Sequence, residues 1–247
     1  MSFIQASINA NREIFELLRE GLDNSLFCYV STDPDETGAG GDRSLSIDIK
    51  AEAIFVKYLR SFGKINSEET GLFGEGDDEI ILDPIDGSSN IASCFPYYGS
   101  SVSLRRNGKT VASIVANLAS GEFFVNDGTR KYRSSLLTME EEPYGGCEAP
   151  KIGLVERAYS DPELVRKLRD AGLKFRSPGA IALSLAYARD VNYVIFSGKH
   201  RIYDIDAGLH LCDDLHQLVR DDFILVSRDK MIFDAIKNLI YSNGCDV

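Results

Sequence analysis

The sequence predicts a layered α/β fold, and two observations predict it. Short apolar runs crowd together in the first half, among them EIILD (79–83) and the stretch SSVSLRRNGKTVASIVANLASGEFFVN (100–126). Beyond about residue 150, helical and extended patterns alternate instead. Strands that run together and then alternate with helices describe sheets covered by helices. With 247 residues the chain can bury a substantial core, and 44% hydrophobic against 26% charged residues is the balance of a folded protein.

The N-terminal MSFIQASINANREIFELLRE reads as an amphipathic helix, with Ile4, Ile8, Phe15 and Leu18 toward one face. It has no basic leader, and no segment reaches spanning length, which predicts a cytoplasmic protein with no membrane partner. STDPDETGAGGD (31–42) reads as a loop. A helix over 48–62 carries Ala51, Ile54, Phe55, Tyr58 and Leu59 at helical spacing. A short strand at 64–66 leads through an acidic loop into EIILD. Asn107-Gly108 marks a hairpin in the meander, and Ser120-Gly121 a second turn. Strands are expected near 152–156, 191–197 and 223–227, with helices near 161–171, 179–189, 206–219 and 230–242. Ser177 and Pro178 read as the cap and first residue of the second of these helices. His210 and His216 then share a helix six apart, unsuited to one metal, with Asp213-Asp214 on its solvated surface. The pattern change near 130–150 divides a single catalytic unit, 1–247, into halves of about 1–140 and 141–247.

A net charge of −11 argues against a nucleic-acid partner, because phosphate backbones are met by basic surfaces. An anionic substrate must therefore be captured locally, by metal, by helix N-termini or by a small basic cluster. The cysteines at 28, 94, 147, 212 and 245 are dispersed and lack a C-x-x-C pair, so free thiols in a reducing compartment are expected.

Acidic residues cluster where strands end. Ser67-Glu68-Glu69 follows one strand, Asp83-Pro84-Ile85-Asp86-Gly87-Ser88-Ser89-Asn90 ends another, and Tyr203-Asp204-Ile205-Asp206-Ala207-Gly208 follows a third. In the second segment Asp83 and Asp86 converge with the Ile85 carbonyl between them. Hard divalent cations take such oxygens, Mg²⁺ with few carboxylates and several waters. Gly87 lets backbone approach a ligand, and the amides of Gly87, Ser88 and Ser89 open a helix, a ready anion site.

These residues resemble the fructose-1,6-bisphosphatase and inositol monophosphatase superfamily, whose signature is D-P-[IL]-D-G-[ST]. Gly41-Asp42 with Asp48 resembles its early aspartates, and Ser67-Glu68-Glu69-Thr70 its S/G-E-E element. Gly121-Glu122-Phe123-Phe124 resembles its G-E-x-F strand, Arg176-Ser177-Pro178-Gly179-Ala180 its R-x-x-G turn, and Tyr203-Asp204 with Ala207-Gly208 its last acidic motif. The resemblance implies the αβαβα sandwich of the sugar phosphatases and hydrolysis of a small sugar or polyol phosphate monoester. It implies two or three Mg²⁺, for which Mn²⁺ can substitute, held by Glu68, Asp83, Asp86, Asp204 and the Ile85 carbonyl. The metals would polarise the phosphoryl group and activate water. Asp48 and Ser88 would orient that water, and Glu69 and Asp42 are further candidates for proton handling or a third metal. Gly87, Ser88 and Ser89 would bind phosphate. Gly179, Ala180, Arg176, Lys199 and Arg201 would bind substrate, although Lys199 and Arg201 read equally as a solvated loop. Fructose 1,6-bisphosphate is the first substrate expected, inositol monophosphate the second, and a homodimer or homotetramer the expected assembly. A non-catalytic sugar-phosphate sensor or subunit is the rival, and the presence of every acidic ligand argues against it.

Overall fold

The computed structural model describes residues 1–23 and 46–241. The loop expected at 31–42, with Asp42, and the cysteines at 28 and 245 lie outside these residues. Helices α1 (Phe3–Asp23) and α2 (Ser46–Leu59) come first. Strands β1 (Lys64–Ser67), β2 (Gly71–Phe73) and β3 (Glu79–Asp86) follow, then the short α3 (Ser88–Ala92). The meander is β4 (Gly99–Arg106), β5 (Lys109–Asn117), β6 (Glu122–Asn126), β7 (Lys131–Ser135) and β8 (Glu142–Pro143). The remainder is β9 (Gly153–Glu156), α4 (Pro162–Asp170), β10 (Phe175–Arg176), α5 (Ile181–Ala186), β11 (Val194–Ser197), α6 (Ile202–Leu211), β12 (His216–Arg220), β13 (Phe223–Ser227) and α7 (Lys230–Tyr241).

The strands form an eight-stranded sheet, β2-β1-β3-β4-β5-β6-β7-β8, and a five-stranded sheet, β10-β9-β11-β13-β12. The first is antiparallel except for β1 against β3, and the second is parallel only where β9 meets β10 and β11. Burial sets the layers. Phe3, Ile14 and Leu18 of α1 and Ile47, Phe55 and Leu59 of α2 pack on one face of the larger sheet, against Ile80, Leu82 and Ile114. Its other face meets α5 and α6 through Val115, Phe124, Leu183, Ala207 and Leu211. The same two helices turn Ile181, Leu185 and Ile205 onto Leu154, Val194 and Ile224 of the smaller sheet. Leu164 and Leu168 of α4 and Phe233 and Ile236 of α7 close its far face. The result is the αβαβα sandwich. Because α5 is covered on both sides, it reads as apolar nearly all round, and every one of its residues is buried.

The expectation of one helix over 206–219 is corrected. Helix α6 stops at Leu211, and Leu215 N donates to Cys212 O at 2.8 Å to turn the chain. His216–Arg220 then pairs antiparallel with Phe223–Ser227, His216 opposite Ser227 and Arg220 opposite Phe223. Cross-strand pairing at the sheet edge satisfies backbone groups that a continued helix would have paired internally. The side chain of Gln217 reaches back to the Leu209 carbonyl at 3.2 Å, filling an acceptor at the helix end. His210 and His216 therefore sit on different elements. Asp213 and Asp214 are no helix surface either: both pair with Lys131, and Asp214 also with the buried Arg189.

Candidate active site

Strand β3 is buried from Ile80 to Asp86, and its register with β4 shifts between Asp83 and Asp86, where Pro84 and Ile85 break the ladder. Pro84 has no amide to give that ladder, so the irregularity falls there. Ile85 N donates to Asp83 Oδ1 at 3.0 Å, fixing the carboxylate over the bend. Glu68 follows β1, its amide held by Leu82 O at 3.0 Å. Asp204 stands in the first turn of α6, where its Oδ2 accepts from Arg201 N at 2.9 Å. Three elements thus bring ligand oxygens of Glu68, Asp83 and Asp204 within 4.8 Å of one another. Asp83 is only 3% exposed and Asp204 only 9%.

Crowding carboxylates out of water is costly, and the protonation equilibria record it. Burial pushes the Asp83 carboxyl well above its ordinary range, and the charges of Glu68, Asp86, Asp204 and Asp48 add to the shift. Burial likewise pushes Asp86 up, although its Oδ2 accepts from Leu183 N at 3.0 Å. Arg201 supplies one compensating cation, with Nη2 2.7 Å from Glu68 and 3.1 Å from Asp204. Close, partly desolvated, all-oxygen donors are the chemistry of a hard divalent cation, so these residues fit such an ion. Asp86 and Ile85 line the same cavity beside them.

Gly87, at φ 94°, opens α3, and a Cβ there would lie 3.1 Å from Tyr97 O and 3.2 Å from Ala180 Cβ. The positive φ and these close neighbours favour glycine. Ser88 Oγ lies 3.3 Å from Asp48 Oδ1 and 3.0 Å from Ile85 O. Asp48, buried on α2, reaches the site through that hydroxyl. Gly87, Ser88, Ser89, Glu68, Glu69, Asp83, Asp86 and Asp204 all line one cavity of about 1020 Å³.

The structure separates the residues expected on the substrate side. Gly179 and Lys199 line the cavity. Arg201 also lines it, paired with the carboxylates of Glu68 and Asp204 rather than lying in a solvated loop. Ala180 is buried at 1% exposure and its amide is turned onto Glu156. Arg176 donates to its neighbour's carbonyl, Phe175 O, at 2.8 Å and lines a second, apolar groove with Phe95, Tyr97 and Leu154. Ser177 and Pro178 do not start the helix: α5 begins at Ile181, and Ala180, in extended conformation, precedes it without a side-chain cap. A first-turn amide of α5 is met from across the fold instead, Leu183 N donating to Asp86 Oδ2 at 3.0 Å, while Glu156 accepts from Gly179 N, ahead of the helix, at 2.8 Å.

Sequence reasoning missed Glu156, which ends the apolar run IGLVE and lines the cavity while 2% exposed. It missed Glu52, buried one helical turn after Asp48, whose Oε1 accepts from Thr70 N at 3.1 Å. Arg157, over the Phe196 ring in the same cavity wall, was also missed. A lone acid inside an apolar run is the signal that could have found the first two.

Comparison with known proteins gives the family and the fold. Residues 2–215 match the family model described as the inositol monophosphatase family. The chain is 29% identical over 192 residues to a fructose-1,6-bisphosphatase/inositol-1-monophosphatase of Thermococcus kodakarensis, covering 75% of this chain and 72% of that protein. It is 36% identical over 153 residues to the Nus factor SuhB of Vibrio cholerae, covering 58% of this chain and 57% of that one. Its fold superposes on an IMPase of Thermotoga maritima with a TM-score of 0.76, covering 99% of this chain and 100% of the other at 20% identity. No helix among the described residues is long and apolar enough to cross a membrane. With the family model spanning most of its length, the chain belongs to the inositol monophosphatase family.

Proposed function

We propose that the chain is a Mg²⁺-dependent phosphatase of small sugar or polyol phosphate monoesters, with fructose 1,6-bisphosphate as first substrate. The observation that carries the reading is the meeting, in one cavity, of the Glu68–Asp83–Asp204 cluster with the glycine-opened turn at Gly87-Ser88-Ser89. The carboxylates, with Asp86 and the Ile85 carbonyl, would hold Mg²⁺, and the turn at 87–89 would receive the phosphate. When bound, Mg²⁺ supplies Lewis-acid polarisation of the phosphoryl group and charge neutralisation. Ser88 Oγ, tied to Asp48 and Ile85 O, orients the attacking water, and Asp48 takes its proton through that hydroxyl. Glu69, lining the same cavity, is a second proton acceptor.

Support for the bisphosphate comes from Lys199 and Arg157, which line the same cavity and offer cations to a second phosphate in a protein of net charge −11. Inositol 1-phosphate is the second reading, favoured by the match to the inositol monophosphatase family model. The reading includes a cytoplasmic location and assembly as a homodimer or homotetramer. Phosphate release in Mg²⁺ from the two esters at matched concentration tests the choice. A higher kcat/KM on fructose 1,6-bisphosphate is expected, and preference for the inositol ester would overturn the substrate assignment while keeping the phosphatase.

A further inference from the structure

The turn 177–180 reaches the cavity with no regular structure of its own, between β10 and α5. What fixes it comes from elsewhere. Glu156 Oε2 accepts from Gly179 N at 2.8 Å, and Oε1 accepts from Ala180 N at 3.4 Å and from Ser184 Oγ at 2.5 Å. From the opposite side, Asn90 Nδ2 on α3 donates to Pro178 O at 2.8 Å and lies 3.4 Å from Gly179 O. The same amide group holds Tyr97 O at 2.7 Å. Gly179, at φ 90°, packs so closely on Asn90 that a Cβ would lie 3.3 Å from Nδ2.

We propose that Glu156 is a positioning residue for substrate binding: with Asn90 it clamps the 177–180 turn against α3, fixing one cavity wall relative to the phosphate-binding turn at 87–89. This rests on the phosphatase reading given above. The direction of the bonds carries it. The turn's amides point at a buried carboxylate and its carbonyls at Asn90, so the segment is gripped through both sets of backbone groups. Asn90 sits on the very helix that Gly87 opens, and Gly179, Ser177 and Pro178 all line the cavity. The clamp therefore links the wall that meets the sugar to the turn that meets the phosphate. A carboxylate 2% exposed is retained there at the cost of desolvation, and burial pushes its pKa up despite the three donors. A preordered wall lowers the ordering cost of binding, so its loss should act on substrate affinity more than on the chemical step.

Glu156→Gln, in the full-length protein, presents an amide NH₂ where two acceptors are needed. In Mg²⁺, its KM for fructose 1,6-bisphosphate is expected to rise at least tenfold with kcat within about threefold. For para-nitrophenyl phosphate, which has no sugar to meet the wall, KM should move less than threefold. Hydrogen exchange read on the Gly179 and Ala180 amides should accelerate at least tenfold while β11 and β13 amides stay protected. Asn90→Ala loosens the same turn from its other side, should show the same split, and decides the matter if Glu156→Gln fails to fold. Variants with unchanged KM, or with kcat and KM altered equally for both esters, overturn the clamp and leave the phosphatase reading standing. A wild-type chain that releases phosphate from no ester overturns both.

Discussion

A single guanidinium nitrogen, Nη2 of Arg201, lies 2.7 Å from Glu68 Oε1 and 3.1 Å from Asp204 Oδ1, bridging two of the three clustered carboxylates. The residue that sequence reasoning offered for substrate binding is here a counter-charge for the acidic cluster. Arg201→Met should lower the stability of the metal-free protein by about 2 kcal/mol, the worth of a charged hydrogen-bonded contact. That is a fall in Tm of roughly 4–8 °C. Millimolar Mg²⁺ should recover most of the loss, because a bound dication replaces the missing charge. Equal melting of variant and wild type without metal would show that the bridge contributes nothing.

Lys199 is an exposed residue of the cavity wall, and in the proposed function it meets a second phosphate. Lys199→Ala should raise KM for fructose 1,6-bisphosphate by about 10–100-fold, the cost of a lost charged contact. KM for inositol 1-phosphate should change less than about twofold, within the small effect expected of a surface substitution. Equal shifts on both esters would remove Lys199 from the second-phosphate role.

Asp214 supplies a pH-dependent part of stability far from the site. Burial pushes its carboxyl up, but hydrogen bonds and charge from Arg189 and Lys131 outweigh this and hold it at about 2, below its ordinary 3.8. A folded-state pKa below the unfolded one stabilises the protein above the unfolded value, and the gain is lost as pH falls through the folded value. Asp214→Asn should therefore unfold more readily than wild type at pH 5–7. The gap should shrink between roughly pH 4 and pH 2 and vanish below that. Urea titrations at pH 6 and pH 2 measure it, and a constant gap would contradict the linkage.

Gly153 opens β9, the strand that ends in Glu156, and a Cβ there would lie 2.3 Å from the ring of the fully buried Tyr193. Gly153→Ala should cost about 3 kcal/mol through overpacking, seen as a lower urea midpoint with unchanged slope. A cost under about 0.5 kcal/mol would mean that the ring has room to move.

The legible parts of the fold and site were local in sequence. DPIDGSSN carries two carboxylates, the strand break and the positive-φ glycine in eight adjacent residues, so its convergence at the end of β3 could be read directly. The illegible parts depended on distant partners. His216–Arg220 carries Leu218 and Val219 at spacings compatible with a helix. Only Phe223–Ser227, pairing alongside, makes it a strand. The acceptor for the first turn of α5 could not be found near Ser177-Pro178, because the oxygen that meets Leu183 N belongs to Asp86, 97 residues upstream. Arg201 was read as a substrate-binding or solvated-loop residue, since the acids that engage it, Glu68 after β1 and Asp204 in α6, meet it only after folding.

The most direct test of the central claim is phosphate release from fructose 1,6-bisphosphate and inositol 1-phosphate, with Mg²⁺ and after chelation, by wild type and Asp83→Asn. The account predicts release by wild type in Mg²⁺ and its disappearance on chelation. It predicts at least about a 10³-fold loss in Asp83→Asn with the fold intact by circular dichroism, since the metal supplies several kcal/mol to the reaction. Undiminished turnover by Asp83→Asn, or by chelated wild type, would contradict the assignment of the acidic cluster to metal-dependent catalysis.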